Sequence, residues 1–148
     1  MFCCFRNKKL KKCTKDNTQW LSFNGKTLEC KIVDIYDADT VTLVLLLNKQ
    51  YYKVKCRLTG IDAAEIRTKN KMEKKVGIEG IDYLRGLILN KIVKVICGKN
   101  DKYGRLLGTI YYKNLNINEH IINKGYAYEY KGKTKKKFEE WYFGSSKK

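Results

Sequence analysis

Tyr52-Lys-Val-Lys-Cys-Arg-Leu-Thr-Gly-Ile-Asp-Ala-Ala-Glu65 decides how the rest of the chain is read. Tyr52, Val54, Cys56 and Leu58 alternate with Lys53, Lys55 and Arg57, which is the period of a half-buried strand. Arg57 therefore points off the apolar face at the strand's end. Gly60 turns the chain, and Asp62 and Glu65 follow on a short loop. One guanidinium and two carboxylates so close together can hold a hard cation and a phosphate at once. The same residues also suit a strand end followed by a solvated charged loop, so the flanking sequence has to decide.

Upstream, Cys30, Ile32, Val33 and Ile35 read as a strand that leads into the polar turn Tyr36-Asp37-Ala38-Asp39-Thr40. Val41–Leu47 is a nearly continuous apolar strand, and Asn48-Lys49 is a hairpin turn into the strand Tyr51–Thr59. The result is a three-strand meander. Its two reversals place Asp39, at the start of the second strand, at the same end as Arg57 and Asp62. Adjacency in an antiparallel sheet thus brings the three together.

Downstream, residues 66–75 read as a charged connection, followed by a helix with Val76, Tyr83, Leu84, Leu87 and Ile88 on one side and Gly80 allowing close approach. Ile92–Cys97 is a fourth strand, residues 98–104 a loop, and Arg105–Tyr112 a fifth strand. A short helix follows, with Asn118 as its N-cap and Gly125 after its end. Tyr126, Tyr128 and Tyr130 alternate in an extended segment, and Phe138, Trp141 and Tyr142 mark a last helix with Trp141 as its core anchor. The run Lys131–Lys137 reads as a solvated basic face that also meets phosphates.

Composition narrows the class of partner. Lys and Arg number 32 against 15 Asp and Glu in 148 residues, a net charge of +17, so polyanions are expected to bind, nucleic acid before an anionic membrane surface. The length suits one domain. Cys30, Cys56 and Cys97 sit in apolar strands, where cysteine acts as a small hydrophobe. Free thiols in a reducing, intracellular and cytoplasmic setting are therefore expected. No apolar stretch is long enough for a transmembrane segment. There is no Cys-x-x-Cys pair and a single histidine, His120, which argues against zinc. Residues 1–25 form a basic tail, in which Cys3 and Cys4 beside a polybasic run offer a route to acylation and membrane-surface association.

Three motifs now stand in order: Asp37-Ala-Asp39-Thr-Val41, Arg57-Leu-Thr-Gly-Ile-Asp62-Ala-Ala-Glu65 and Asp101-Lys-Tyr-Gly-Arg105. With the intervening hairpin, helix and strand, and with Asn118-Glu119 and Gly125, they closely resemble the staphylococcal nuclease (thermonuclease) family over residues 26–143. Residues 144–148 then form a short C-terminal tail. The resemblance implies an α+β fold, a five-stranded OB-fold β-barrel with three helices. It further implies Ca²⁺-dependent hydrolysis of phosphodiester bonds in DNA or RNA; little sequence selectivity and a monomeric protein are expected alongside.

By the same resemblance, Asp39 and Asp62 match the Ca²⁺-ligating carboxylates, and Ala63 the position that contributes a backbone carbonyl. Glu65 matches the general base, and Arg57 and Arg105 the phosphate-binding arginines. Lys102 and Tyr103 match residues lying beside the bound nucleotide. Ala64 stands where the family usually has proline. The other reading of the same motifs is a noncatalytic nucleic-acid-binding OB module, and a membrane-anchored scaffold rests only on Cys3, Cys4 and the basic arm.

Phosphodiester chemistry fits these residue types independently. Two arginines grip nonbridging oxygens bidentately, and hard carboxylates suit a hard cation. A further carboxylate can take a proton from water. The basic tail adds charge without adding a chemical group. Deleting residues 1–25 should raise the apparent substrate constant and flatten its salt dependence, by about 0.9 in log–log slope for each phosphate that is no longer neutralised. Turnover at saturating substrate should stay level. Steady-state kinetics over a salt series measures both, and a fall in turnover of a folded truncation would place the tail inside the site.

Overall fold

The computed structural model describes residues 9–144, so Cys3 and Cys4 lie outside the described residues. Five long strands form the frame: β1 (Thr27–Asp37), β2 (Thr40–Leu47), β3 (Gln50–Leu58), β5 (Ile92–Asn100) and β6 (Leu106–Tyr112). Strands β1, β2 and β3 are the expected antiparallel meander, and β1 pairs on its other side with β5, which pairs with β6. Parallel pairing of β3 with β6, from Cys56 opposite Leu106 to Leu58 opposite Gly108, closes the sheet into a five-stranded barrel. Short strands β4 (Ile61–Ala63) and β8 (Ala127–Glu129) pair as a separate ribbon, and β7 (Leu115–Asn116) turns back to pair antiparallel with the end of β6. Among the described residues, the helices that pack with the barrel and ribbon are α1 (Lys71–Ile88), α2 (Ile117–Asn123) and α3 (Phe138–Tyr142).

Alternation fills the barrel. Ile32, Ile35, Val41, Leu43, Cys56, Leu58, Val95, Leu106 and Ile110 are all buried inside it, joined by Leu84 and Ile88 of α1 and by Ile117 and Ile121 of α2. The Asn48-Lys49 turn has φ of 49° and 64°, positive at both central residues as a two-residue hairpin requires. Cys30, Cys56 and Cys97 are buried free thiols. Burial pushes Cys30 up to about 11 and Cys56 up to about 12, so both stay protonated and inert near neutrality. Among the described residues no helix is long and apolar enough to cross a membrane.

Two helix starts differ from the sequence reading. Helix α1 begins at Lys71, because the Asn70 side chain caps the amides of Met72 and Glu73. Part of the charged connection is therefore the helix's first turn. Likewise Asn116, not Asn118, caps α2, accepting from the amides of Asn118 and Glu119. Asn118 is buried instead. Its side-chain amide donates to Thr59 O at 2.9 Å and Gly108 O at 3.1 Å, and its oxygen accepts from Ile110 N at 3.1 Å. It ties the end of β3 to β6 across the barrel seam. At the chain's start, Phe23 packs against the core and the Gly25 amide donates to Cys97 O.

Helix α1 presents a glycine face to the two segments that carry Asp39 and Glu65. A Cβ on Gly80 would lie 2.9 Å from Ala38 Cβ and 3.0 Å from Tyr126 Cβ, and one on Gly77 would lie 2.8 Å from Ala64 O. Gly86 on the same helix faces open space. Gly86→Ala should therefore raise stability by up to about 1 kcal/mol through helix propensity. Gly80→Ala should lower it by about 1–3 kcal/mol through overpacking. Thermal melts of the pair check this, and equal effects would contradict the packing.

Ala64 is a related case. A proline would stiffen the unfolded chain by about 0.4–1 kcal/mol, but the Ala64 amide donates to Tyr126 O at 3.3 Å. Removing that bond costs about as much. Ala64→Pro is accordingly expected to leave the melting temperature nearly unchanged, and a clear shift either way in the same melts would mean that one effect dominates.

Candidate active site

The β1–β2 turn, the end of β3 and the short strand β4 meet at one mouth of the barrel. Register explains the meeting: Thr40, just after Asp39, lies opposite Arg57, and the Leu58 amide donates to Asp39 O at 2.8 Å. Irregularities in β1 between Ile32 and Asp34 and between Ile35 and Asp37 bend the strand toward this turn. Gly60, at φ 79°, then reverses the chain so that β4 brings Asp62 back toward Arg57.

Arg57 sits between the two aspartates. Its Nη1 lies 2.9 Å from Asp39 Oδ2 and its Nη2 lies 2.5 Å from Asp62 Oδ1. The carboxylates are 6% and 4% exposed and the guanidinium 16%, so this is a buried triad, not a surface pair. Burial works against the Arg57 charge, yet Asp39, the hydrogen bond to Asp62 and Glu65 together hold its pKa above the usual value. Neutral donors complete the arrangement: Thr40 Oγ1 donates to Asp39 Oδ1 at 2.8 Å, the Ala63 amide to Asp39 Oδ2 at 3.2 Å, and the Tyr128 hydroxyl to Asp62 Oδ2 at 2.9 Å.

Asp37, Asp39, Arg57, Ala63, Ala64 and Glu65 line one small cleft of about 30 Å³, the scale of a single ion or water. Asp37 is pushed up to about 6, first by burial and then by the charges of Asp39 and Glu65, with Arg57 and Arg105 pulling the other way. Glu65 is half exposed at the rim. Its Oε1 accepts from Lys135 Nζ at 2.9 Å, and the same ammonium lies 3.0 Å from Asp62 Oδ1.

The structure thus brings Asp39, Arg57, Asp62, Ala63 and Glu65 together. Arg105, Lys102 and Tyr103 form a neighbouring group in the turn between β5 and β6. Arg105 Nε donates to Asp101 Oδ2 at 2.6 Å, and Asp101 Oδ1 also accepts from the amides of Tyr103 and Arg105. Tyr103 is 73% exposed, with Lys102 and Arg105 near its ring face. The field of Arg105 on Asp37 links this turn to the cleft.

Sequence reasoning misses three contributors. Asp37 stands two residues before Asp39, as the last residue of β1 ahead of the turn that carries Asp39. Tyr128 belongs to the tyrosine alternation and is buried against Trp141, with ring centroids 5.2 Å apart. Lys135 lies inside a basic run that reads as uniformly solvated.

The donor set suits a hard cation. The side chains offered are carboxylates, with backbone carbonyls nearby and no thiol or imidazole. In the structure Asp39 and Asp62 face Arg57 and Lys135, and among the described residues no three His, Cys, Asp or Glu side chains already converge at ligand spacing.

Comparison with known proteins follows the geometry. A family of staphylococcal nuclease homologues matches residues 55–145, which include Arg57, Asp62, Glu65, Arg105 and Lys135. A Haemophilus influenzae protein named an uncharacterized endonuclease is 33% identical over 102 residues, covering 69% of this chain and 52% of its own length. An Escherichia coli O157:H7 protein with the same description is 29% identical over 101 residues, covering 68% and 60%. A probable staphylococcal-like nuclease of Oryza sativa subsp. japonica is 34% identical over 90 residues, covering 60% and 22%. The chain therefore spans about half to three-fifths of the bacterial relatives and less of the rice protein. With a matched region longer than half the chain and a closed five-stranded barrel carrying three helices, this chain belongs to the staphylococcal nuclease homologue family.

Proposed function

We propose that this chain is a nuclease that hydrolyses phosphodiester bonds within DNA or RNA, with Ca²⁺ as its metal. The observation that carries the reading is the convergence of Asp37, Asp39 and Glu65 with Arg57 on one ion-sized cleft, with Asp62 bonded to the same guanidinium. A purely binding surface has no need to bury carboxylates that repel a polyanion. The relatives described as endonucleases or staphylococcal-like nucleases support the same class.

Each residue has a physical role in this reading. Arg57 contacts its two aspartates through Nη1 and Nη2, and its remaining N–H groups can meet a nonbridging phosphate oxygen. Arg105, fixed by Asp101, supplies a second guanidinium for the charge that builds on phosphorus. Glu65, at the rim, accepts a proton from the attacking water. Asp39 and Asp62, with the backbone carbonyl of Ala63, would hold Ca²⁺, whose charge favours both the incoming hydroxide and the phosphate. Lys102 and Tyr103 offer a cation and an exposed ring to the chain on either side of the scissile bond.

Arg57 and Arg105 should separate under mutation. Arg57 also neutralises two buried carboxylates, so Arg57→Lys should lower the melting temperature as well as the rate. Arg105 bonds a single partly exposed carboxylate, so Arg105→Lys should lower the rate with little effect on melting.

Glu65→Gln keeps the shape, removes the proton acceptor and leaves the phosphate-binding cations in place. Its cleavage rate should fall by roughly 10²–10⁴ with nucleic-acid binding retained. The test is initial cleavage of plasmid and single-stranded DNA, in Ca²⁺ or chelator, beside a filter-binding constant for each folded variant. A wild type that binds tightly and never cleaves in Ca²⁺ would make the chain a binding module.

A further inference from the structure

Lys135 stands outside every role assigned above, yet it touches two of the residues they depend on. It belongs to the segment between β8 and α3, and its side chain is half exposed. Its ammonium lies 3.0 Å from Asp62 Oδ1 and 2.9 Å from Glu65 Oε1, bridging a proposed ligand and the proposed base.

The placement is built rather than incidental. The Tyr128 hydroxyl that donates to Asp62 also accepts the amide of Lys136, at 3.0 Å, one residue from Lys135. The Tyr130 hydroxyl donates to Lys133 O at 2.6 Å, and the Lys137 amide donates to Glu140 Oε2 at 3.2 Å. Three hydrogen bonds thus fix this segment on both sides of Lys135. Neighbouring Lys136 is turned instead toward the Tyr128 ring. Of the run's lysines, Lys135 is the one paired with cleft carboxylates.

We propose that Lys135 is a tethered counter-cation of the cleft, holding Glu65 and Asp62 in position and competing with a divalent cation for Asp62. The inference rests on the nuclease reading for the identity of the ion, but its core is electrostatic. A divalent cation binding at Asp62 must either displace the ammonium or tolerate a positive charge about 3 Å from its ligand. Either way the lysine weakens the ion's hold. It also restrains a rim glutamate that is otherwise half exposed, keeping the carboxylate over the cleft.

The test is Ca²⁺ affinity by titration calorimetry on the full chain, for wild type, Lys135→Met, Lys135→Arg and the remote control Lys113→Met. Lys135→Met should bind Ca²⁺ about 3- to 30-fold more tightly, between the small effect of an exposed pair and the large effect of a buried one. Lys135→Arg keeps the charge and should stay within about twofold of wild type, as should Lys113→Met, which controls for net charge. Lys135→Gln replaces the methionine variant if that one does not fold.

Unchanged or weaker Ca²⁺ binding on removing the Lys135 charge overturns the proposal. So does equal tightening by Lys113→Met, which would reflect net charge alone. The two readings fail separately. A wild type that cleaves DNA in Ca²⁺ while Lys135→Met binds the ion unchanged sinks only the counter-cation. A chain that never cleaves while Lys135→Met tightens ion binding sinks the nuclease and keeps the counter-cation.

Discussion

The guanidinium of Arg57, wedged between Asp39 and Asp62, is the contact on which the mouth of the barrel depends. Burying two carboxylates on either side of one guanidinium costs less than burying them without it, because the cation offsets their repulsion and desolvation. Arg57 supplies that cation and in doing so pins three pieces of chain: the β1–β2 turn, the last residues of β3 and the ribbon strand β4. Its planar fork makes the arrangement directional, because each terminal nitrogen serves a different aspartate. Closure of the barrel through β3 and β6 and the Asn118 bridge then hold the strand that carries Arg57. The site is therefore a consequence of how the barrel closes at that end, and under the proposed function the same contacts serve stability and chemistry.

What can be read from the sequence follows the range of the forces involved. Alternation from Tyr52 to Leu58 and the Asn48-Lys49 turn act locally, and from them the meander and the meeting of Asp39, Arg57 and Asp62 follow. The barrel and the roles of Glu65 and Arg105 rest on the family resemblance, since no local pattern announces the parallel pairing of β3 with β6. Asn118 reads as a cap because its helix-start position suits capping, yet two residues earlier Asn116 has the same chemistry and a better geometry. Asn118 is thereby left to bridge strands. The start of α1 is hidden for a similar reason: a run of charged residues looks like loop until its cap, Asn70, is identified.

Lys135 is illegible for a different reason. Lys133, Lys135, Lys136 and Lys137 are chemically alike, and only tertiary contacts distinguish them. The hydroxyl of Tyr128 selects among them, since its bond to the Lys136 amide sets where the segment passes over Asp62. A buried tyrosine hydroxyl needs partners, and Tyr128 finds one in each of the two segments it joins. Burial and its bond to Asp62 push the Tyr128 hydroxyl up to about 12, so it remains a donor to the carboxylate across the physiological range.

The charge pattern makes the cleft an acidic island in a strongly basic protein. A net charge of +17 draws a polyanion from a distance and is screened by salt, as long-range attraction must be. Asp37, Asp39, Asp62 and Glu65 would repel the same polyanion at close range, and here Arg57, Lys135 and the nearby Arg105 offset them. Attraction and local chemistry thus rest on different residues. Surface lysines can vary with little effect on the cleft, whereas a change at any of the paired groups alters the balance of charge around a space sized for one ion. That separation accounts for a basic chain whose buried ionic contacts centre on aspartates.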